Sequence, residues 1–153
     1  MVEAFFRIDR DYRLGISAGI ATGVLALPII INLGLFRTAI VVPVVVGVPV
    51  AWSFLMLVIR YLFRHHLWVY ELSKFSVVGF LNTAIDFGTL NLLSYLTGIY
   101  SGPSIIALNV VGIAFSMTNS YFWNKYWTFG KRDSAHAKEF GAFVVVAIIG
   151  AGI

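Results

Sequence analysis

Cysteine is absent from the 153 residues. Its absence excludes a disulfide framework, a zinc–thiolate site and a cysteine nucleophile, and it leaves the redox compartment unread. Charge is scarce as well. Asp, Glu, Lys and Arg together make up 12% of the chain, about half of what an average soluble domain carries. There are only three histidines. Two of them, His65 and His66, are adjacent, so on a helix they point apart and do not clamp a metal as an i, i+4 pair would. The sequence contains no Walker loop, no helix-borne pair of metal ligands and no nucleophile beside a base. An enzyme is therefore disfavoured, and no cofactor is expected.

What is abundant is apolar. Hydrophobic residues reach 59% and aromatic residues 16%, with mean hydropathy +0.89. Long uncharged runs with this composition indicate an integral membrane protein, because a soluble fold would leave a large apolar surface in water. The net charge of +4 does not argue for nucleic acid. The basic residues lie between the apolar runs, where the positive-inside bias places them.

Residues 1–13 mix charges with Phe5, Phe6 and Ile8. Glu3 and Arg7 are spaced for a helical ion pair. The stretch reads either as an interfacial segment or as a charged tail that only fixes topology. Leu14 to Phe36 is the first apolar run, about 23 residues or about 34 Å of helix, enough to span. It is too long for a signal peptide and lacks a small-x-small cleavage site. Gly15, Gly19 and Gly23 form a strip of small residues on it. Such a strip admits another helix backbone, within this chain or at a homodimer seam. Pro28 is expected to bend the helix.

Only Arg37 separates this run from the second, Thr38 to Ile59, so the two form a hairpin. The second run contains VVPVVVGVPV, which in water would suggest a strand. Lipid demands internally satisfied backbone, so a kinked helix is expected. Arg60 to Lys74 is a basic, aromatic connection. The third span is Phe75 to about Thr97, an uncharged turn follows, and Ser104 to Trp123 is the fourth. After the basic connection from Asn124 to Lys138, a fifth apolar run starts at Phe140. It stops at Ile153, about 21 Å along, short of a bilayer core.

The expected fold is an all-α polytopic helix bundle. Residues 1–71 form the interfacial segment and helical hairpin, and residues 72–153 form a second domain, truncated in its third helix. Of eleven lysines and arginines, ten fall on one side of the spans and Arg37 on the other. That bias puts the N-terminus, the Arg60 connection and the Lys131 connection in the cytoplasm.

One carboxylate, Asp86, sits in the middle of the third span. A charge at that depth costs about 2.5–3.5 kcal/mol on insertion scales and is rarely incidental. Gly79, Asn82, Asp86 and Thr89 share one face of this span; Asn109, Gly112, Ser116 and Asn119 share a face of the fourth. Counted from the cytoplasmic ends, Asp86 comes level with Gly112 and Asn82 with Ser116. The expectation is a polar seam with Asp86 as its deepest charge, partnered by Lys125 or by a basic group elsewhere. Amides and hydroxyls that merely hold helices together are the alternative for Asn109, Ser116 and Thr89. At the mouth of the seam, Lys125, Lys131 and Arg132 are placed to hold a phosphate among Trp123, Tyr126, Trp127 and Phe129, or simply to anchor the helix end.

These residues resemble the GtrA-like family of small membrane proteins, also found as the membrane domain of some dolichol-phosphate mannose synthases. The likeness rests on Lys74-Phe75, Val78-Gly79, Asn82-Thr83-Ala84-Ile85-Asp86-Phe87, and Asn119 through Asn124-Lys125-Tyr126-Trp127-Thr128-Phe129. It covers Leu72 to Ile153. The hairpin of residues 14–59 lies outside it, and the family often has arginine where Lys125 stands. The resemblance implies a cell-membrane protein of surface polysaccharide biosynthesis that flips a polyprenyl-phosphate-linked sugar. The alternative is a scaffold that recruits a glycosyltransferase. The binding residues so implied are Asn82, Asp86, Ser116, Asn119, Asn124, Lys125, Trp127, Lys131 and Arg132.

Overall fold

The computed structural model describes residues 2–62, 67–129, 140–141 and 144–145, and every regular element among them is helical. Four stretches are long and apolar enough to cross a membrane: Arg10–Asn32, Thr38–Leu62, Trp68–Thr97 and Ser104–Thr128. The side chains of Glu3 and Arg7, and His65, His66, Lys131, Arg132 and most of the fifth apolar run, lie outside what is described.

Helix α1 (Val2–Leu25) runs unbroken from the charged N-terminal stretch into the first span. It is interrupted at Ala26, and α2 (Leu27–Asn32) continues with Pro28 in its first turn. The ring of Pro28 removes a backbone donor, which is why the ladder breaks there. Gly34, at φ 67°, takes the left-handed backbone that closes the hairpin turn.

The valine-rich run that follows is helical, as the demand for satisfied backbone requires. It comprises α3 (Thr38–Val42), a π-helical segment Pro43–Gly47 and α4 (Val48–Leu62). The widened turn falls between the two prolines, where the missing amides disturb the α ladder.

Helix α5 (Leu67–Thr97) has 31 residues and is about 46 Å long. It begins two turns before Phe75, so much of the basic connection is helix rather than loop. Gly98 ends it at φ 70°, its amide donating to the Ser94 carbonyl at 2.9 Å, a left-handed cap. Helix α6 (Ser104–Trp123) returns antiparallel and closes in a π-helical turn, Asn124–Thr128.

The glycine strip of α1 is used inside the chain. A Cβ on Gly15 would lie 2.7 Å from Met56 Sδ, one on Gly19 2.7 Å from Pro49 Cα, and one on Gly23 3.0 Å from Val45 Cα. The hairpin therefore closes backbone to backbone. The core lies toward the charged end of the bundle. Ala18, Met56, Val77, Val78, Leu81 and Trp127 pack together there, with Trp52 and Trp123 around them.

Helix α5 has two working faces. Lys74, Val77, Val78, Leu81, Ala84 and Gly88 are buried along one of them. On that face Gly88 sits directly against the Leu25 carbonyl, and Asn91 accepts from Asn32 Nδ2 at its carbonyl (2.9 Å) and side chain (3.0 Å). The other face, carrying Asn82 and Asp86, meets α6.

Candidate functional site

The facing polar residues of α5 and α6 reach one another across a turn. Asn119 Nδ2 donates to Asn82 Oδ1 at 2.8 Å, so Asn82 pairs with Asn119 and not with Ser116. The Ser116 hydroxyl turns back to the Ile113 carbonyl at 3.0 Å. Asn109 and Gly79 lie on the outer surface, outside the seam.

Asp86 does come level with Gly112. A Cβ on that glycine would fall 2.7 Å from both the carbonyl and Oδ1 of Asp86. Only a glycine lets the two helices close over the carboxylate at this point. Asp86 Oδ1 is buried and makes no hydrogen bond among the described residues. Lys125 is not the partner expected for it: its Nζ donates to the Tyr121 hydroxyl at 3.2 Å and lies over that ring.

A second cluster occupies the charged end, and its centre is a residue the sequence reading left in the N-terminal tail. Asp11, 2% exposed, forms a salt bridge through Oδ2 with Lys74 Nζ at 2.7 Å. The Tyr70 hydroxyl donates to the same oxygen at 3.3 Å. Trp127 Nε1 donates to Oδ1 at 3.0 Å. The Lys74 ammonium also lies 4.8 Å from the Tyr70 ring centroid. The sequence does hold a signal for this placement. Asp11 continues the register of Gly15, Ala18 and Gly19, so it belongs to the buried strip of α1.

Of the residues expected at the mouth, Asn124, Lys125 and Trp127 are thus tied into the protein. Asn124 donates to Ser120 Oγ at 3.2 Å and accepts from Thr128 at 3.1 Å. Lys125 is buried beside Tyr121. Trp127 holds Asp11. These residues and the Asn82–Asp86 group form two clusters, about 12–18 Å apart along α5.

Between α5 and α6 an open furrow of about 620 Å³ runs along the surface, with Thr89, Thr118 and Asn119 among its apolar walls. Asp86 does not line it. A smaller furrow of about 390 Å³ lies at the charged end between Arg10 and the aromatic face of Trp123 and Trp127.

The GtrA/DPMS transmembrane-domain family matches residues 74–153. This chain belongs to that family. The matched region opens at Lys74 and contains Asn82, Asp86, Gly112, Asn119 and Trp127. The N-terminal hairpin, including Asp11, precedes it. The uncharacterized membrane protein YngA of Bacillus subtilis (strain 168) is similar, 39% identical over 82 residues. That is 54% of this chain and 52% of YngA, so the likeness spans about half of each. No solved structure matches. With a GtrA/DPMS domain and, among the described residues, four helices long and apolar enough to cross a membrane, the chain is a multi-pass membrane protein.

Proposed function

We propose that this GtrA/DPMS protein carries a polyprenyl-phosphate-linked sugar across the cytoplasmic membrane, in the service of cell-surface polysaccharide assembly. Its charged end, with Asp11, Lys74 and Lys125, faces the cytoplasm. The protein acts without a catalytic step of its own. One observation carries this reading. The Asp86 carboxylate is held at mid-helix under Gly112 with an unpaired, buried oxygen, one turn from the Asn82–Asn119 amide pair. A carboxylate oxygen at that depth, bonded to none of the described residues, supports a role in holding a ligand. Amides and a carboxylate can replace water around sugar hydroxyls as they leave the headgroup region. The adjoining furrow, with Thr89, Thr118 and Asn119 among its apolar walls, runs beside this polar face between α5 and α6.

A scaffold that recruits a glycosyltransferase needs a free docking strip. The glycine strip suited to that role is filled by α4 and its π-helical lead-in.

The test is transport of a lipid-linked sugar in vesicles by the wild type, Asp86→Asn and Asp86→Ala. Loss of transport in both variants, with unchanged elution and melting, is expected. Wild-type transport by Asp86→Ala would overturn the proposal.

A further inference from the structure

Arg10 lies one turn before the apolar part of α1, at the level of the Asp11–Lys74 cluster. Its Nε is buried and makes no hydrogen bond among the described residues. A buried, unsatisfied guanidinium nitrogen is rare enough to require an explanation. The neighbouring carboxylate does not supply one, because Asp11 is engaged by Lys74, Tyr70 and Trp127. Arg10 opens into the furrow of about 390 Å³, whose other walls include Leu14, Trp123 and Tyr126. Phe122 and Trp123 also line the furrow of about 620 Å³. The two furrows thus adjoin at these rings and together make a candidate track. It starts at a cation and continues over aromatic and aliphatic surface between α5 and α6 as far as Leu92. Along α6, from Trp127 to Phe115, it covers about 18 Å.

We infer that this track seats one isoprenyl phosphate, with the phosphate on Arg10 and the chain along the α5–α6 furrow. The inference rests on the transport reading and names the residues that hold the lipid. An arginine fork matches the oxygens of a phosphate and can hold two of them at once. The width of the track, set by a single pair of helices, suits one hydrocarbon chain. Of the cations expected to hold a phosphate, Lys125 is buried against Tyr121, and Lys131 and Arg132 lie outside the described residues. Arg10 precedes the matched family region, so in this chain the N-terminal hairpin supplies the headgroup contact.

The experiment is binding to the full chain in detergent, read by tryptophan fluorescence, since Trp123 and Trp127 line the track. Farnesyl phosphate, farnesol and inorganic phosphate are the probes. Farnesyl phosphate is expected to bind at least about tenfold tighter than farnesol, the worth of a charge-assisted contact. Inorganic phosphate alone is expected to bind far more weakly. Arg10→Gln should erase the gap between farnesyl phosphate and farnesol, and Arg10→Lys should restore part of it. Thr118→Trp, which fills the furrow from an exposed position, should weaken both isoprenoids and serves if Arg10→Gln does not fold. Equal affinity for farnesol and farnesyl phosphate, or an unchanged gap in Arg10→Gln, overturns the inference. Asp86→Asn should bind farnesyl phosphate like the wild type. A protein that binds it but carries no sugar refutes the transport reading and leaves the site standing. Transport that fails in Asp86→Asn but not in Arg10→Gln does the reverse.

Discussion

Asp11 and Lys74 stand 2.7 Å apart with 2% and 8% of their side chains exposed, and they join a hairpin outside the matched family region to the first residue inside it. Breaking a buried pair strands a charge and costs about 3–5 kcal/mol, whereas replacing both partners with apolar groups is often neutral. Lys74→Met alone is therefore expected to destabilise the protein by about that amount. Asp11→Leu with Lys74→Met should recover most of the loss. Unfolding midpoints of both singles and the double in one detergent measure the coupling. If the double is as unstable as the worse single, the pair is not the link between hairpin and domain.

The glycines divide into those in contact and those that are not. Gly19→Ala and Gly88→Ala place a methyl against the backbone of Pro49 and of Leu25, and neither backbone can move without opening a helix pair. Each is expected to lose about 1–3 kcal/mol. At Gly15 the obstacle is the end of the flexible Met56 side chain, so Gly15→Ala should fall below that range. Gly79→Ala meets nothing within 4 Å and should lie within about 1 kcal/mol of the wild type, on the stabilising side. Thermal melting of the four variants gives the ranking, and a loss at Gly79 equal to that at Gly19 would contradict it.

The four spans among the described residues, the helical reading of VVPVVVGVPV, the strip of small residues on α1 and the Asp86–Gly112 level were legible in the sequence, because each follows from length, periodicity or the bilayer's demand on the backbone; whether the strip closes within the chain or on a second copy was not. Asp11 was missed because a charged tail and a buried helix start look alike unless the register of the glycine strip is extended backwards. Counting places Asn82 level with Ser116, yet its hydrogen bond goes to Asn119, one turn further along α6, because a level along the axis does not fix which way a side chain reaches. Lys125 was expected to reach upward. Its neighbour Tyr121, one turn back on the same helix, offered both a hydroxyl and a ring, and nothing in the spacing alone ranks that against a distant carboxylate.

Gly112→Ala tests the confinement of the central carboxylate without altering its charge. The new methyl would press on both the carbonyl and Oδ1 of Asp86, each 2.7 Å away. The carboxylate must then turn or α6 must retreat. Transport is expected to fall at least about tenfold, a barrier change of about 1.4 kcal/mol. Gly79→Ala, on the same face of α5 by sequence but clear of α6, should transport normally. Vesicle uptake by the two variants decides it, and equal uptake would show that the space around Asp86 does not matter.

Two amide pairs offer the sharpest separation of structure from function. Asn32 and Asn91 join α2 to α5 toward its Thr97 end; Asn82 and Asn119 join α5 to α6 one turn from Asp86. Hydrogen bonds between membrane helices average about 0.6 kcal/mol, so double-mutant cycles should return similar small couplings for both pairs. Transport should not follow stability. Asn32→Ala and Asn91→Ala are expected to carry sugar at near wild-type rates, because their bond only fastens the hairpin. Asn82→Ala and Asn119→Ala remove the amides proposed to hold sugar hydroxyls beside Asp86, and each should slow transport by about tenfold. Uptake rates normalised to folded protein read the difference. If both pairs depress transport in proportion to lost stability, the mid-membrane amides are fasteners too, and the polar face of α5 has no role in handling sugar.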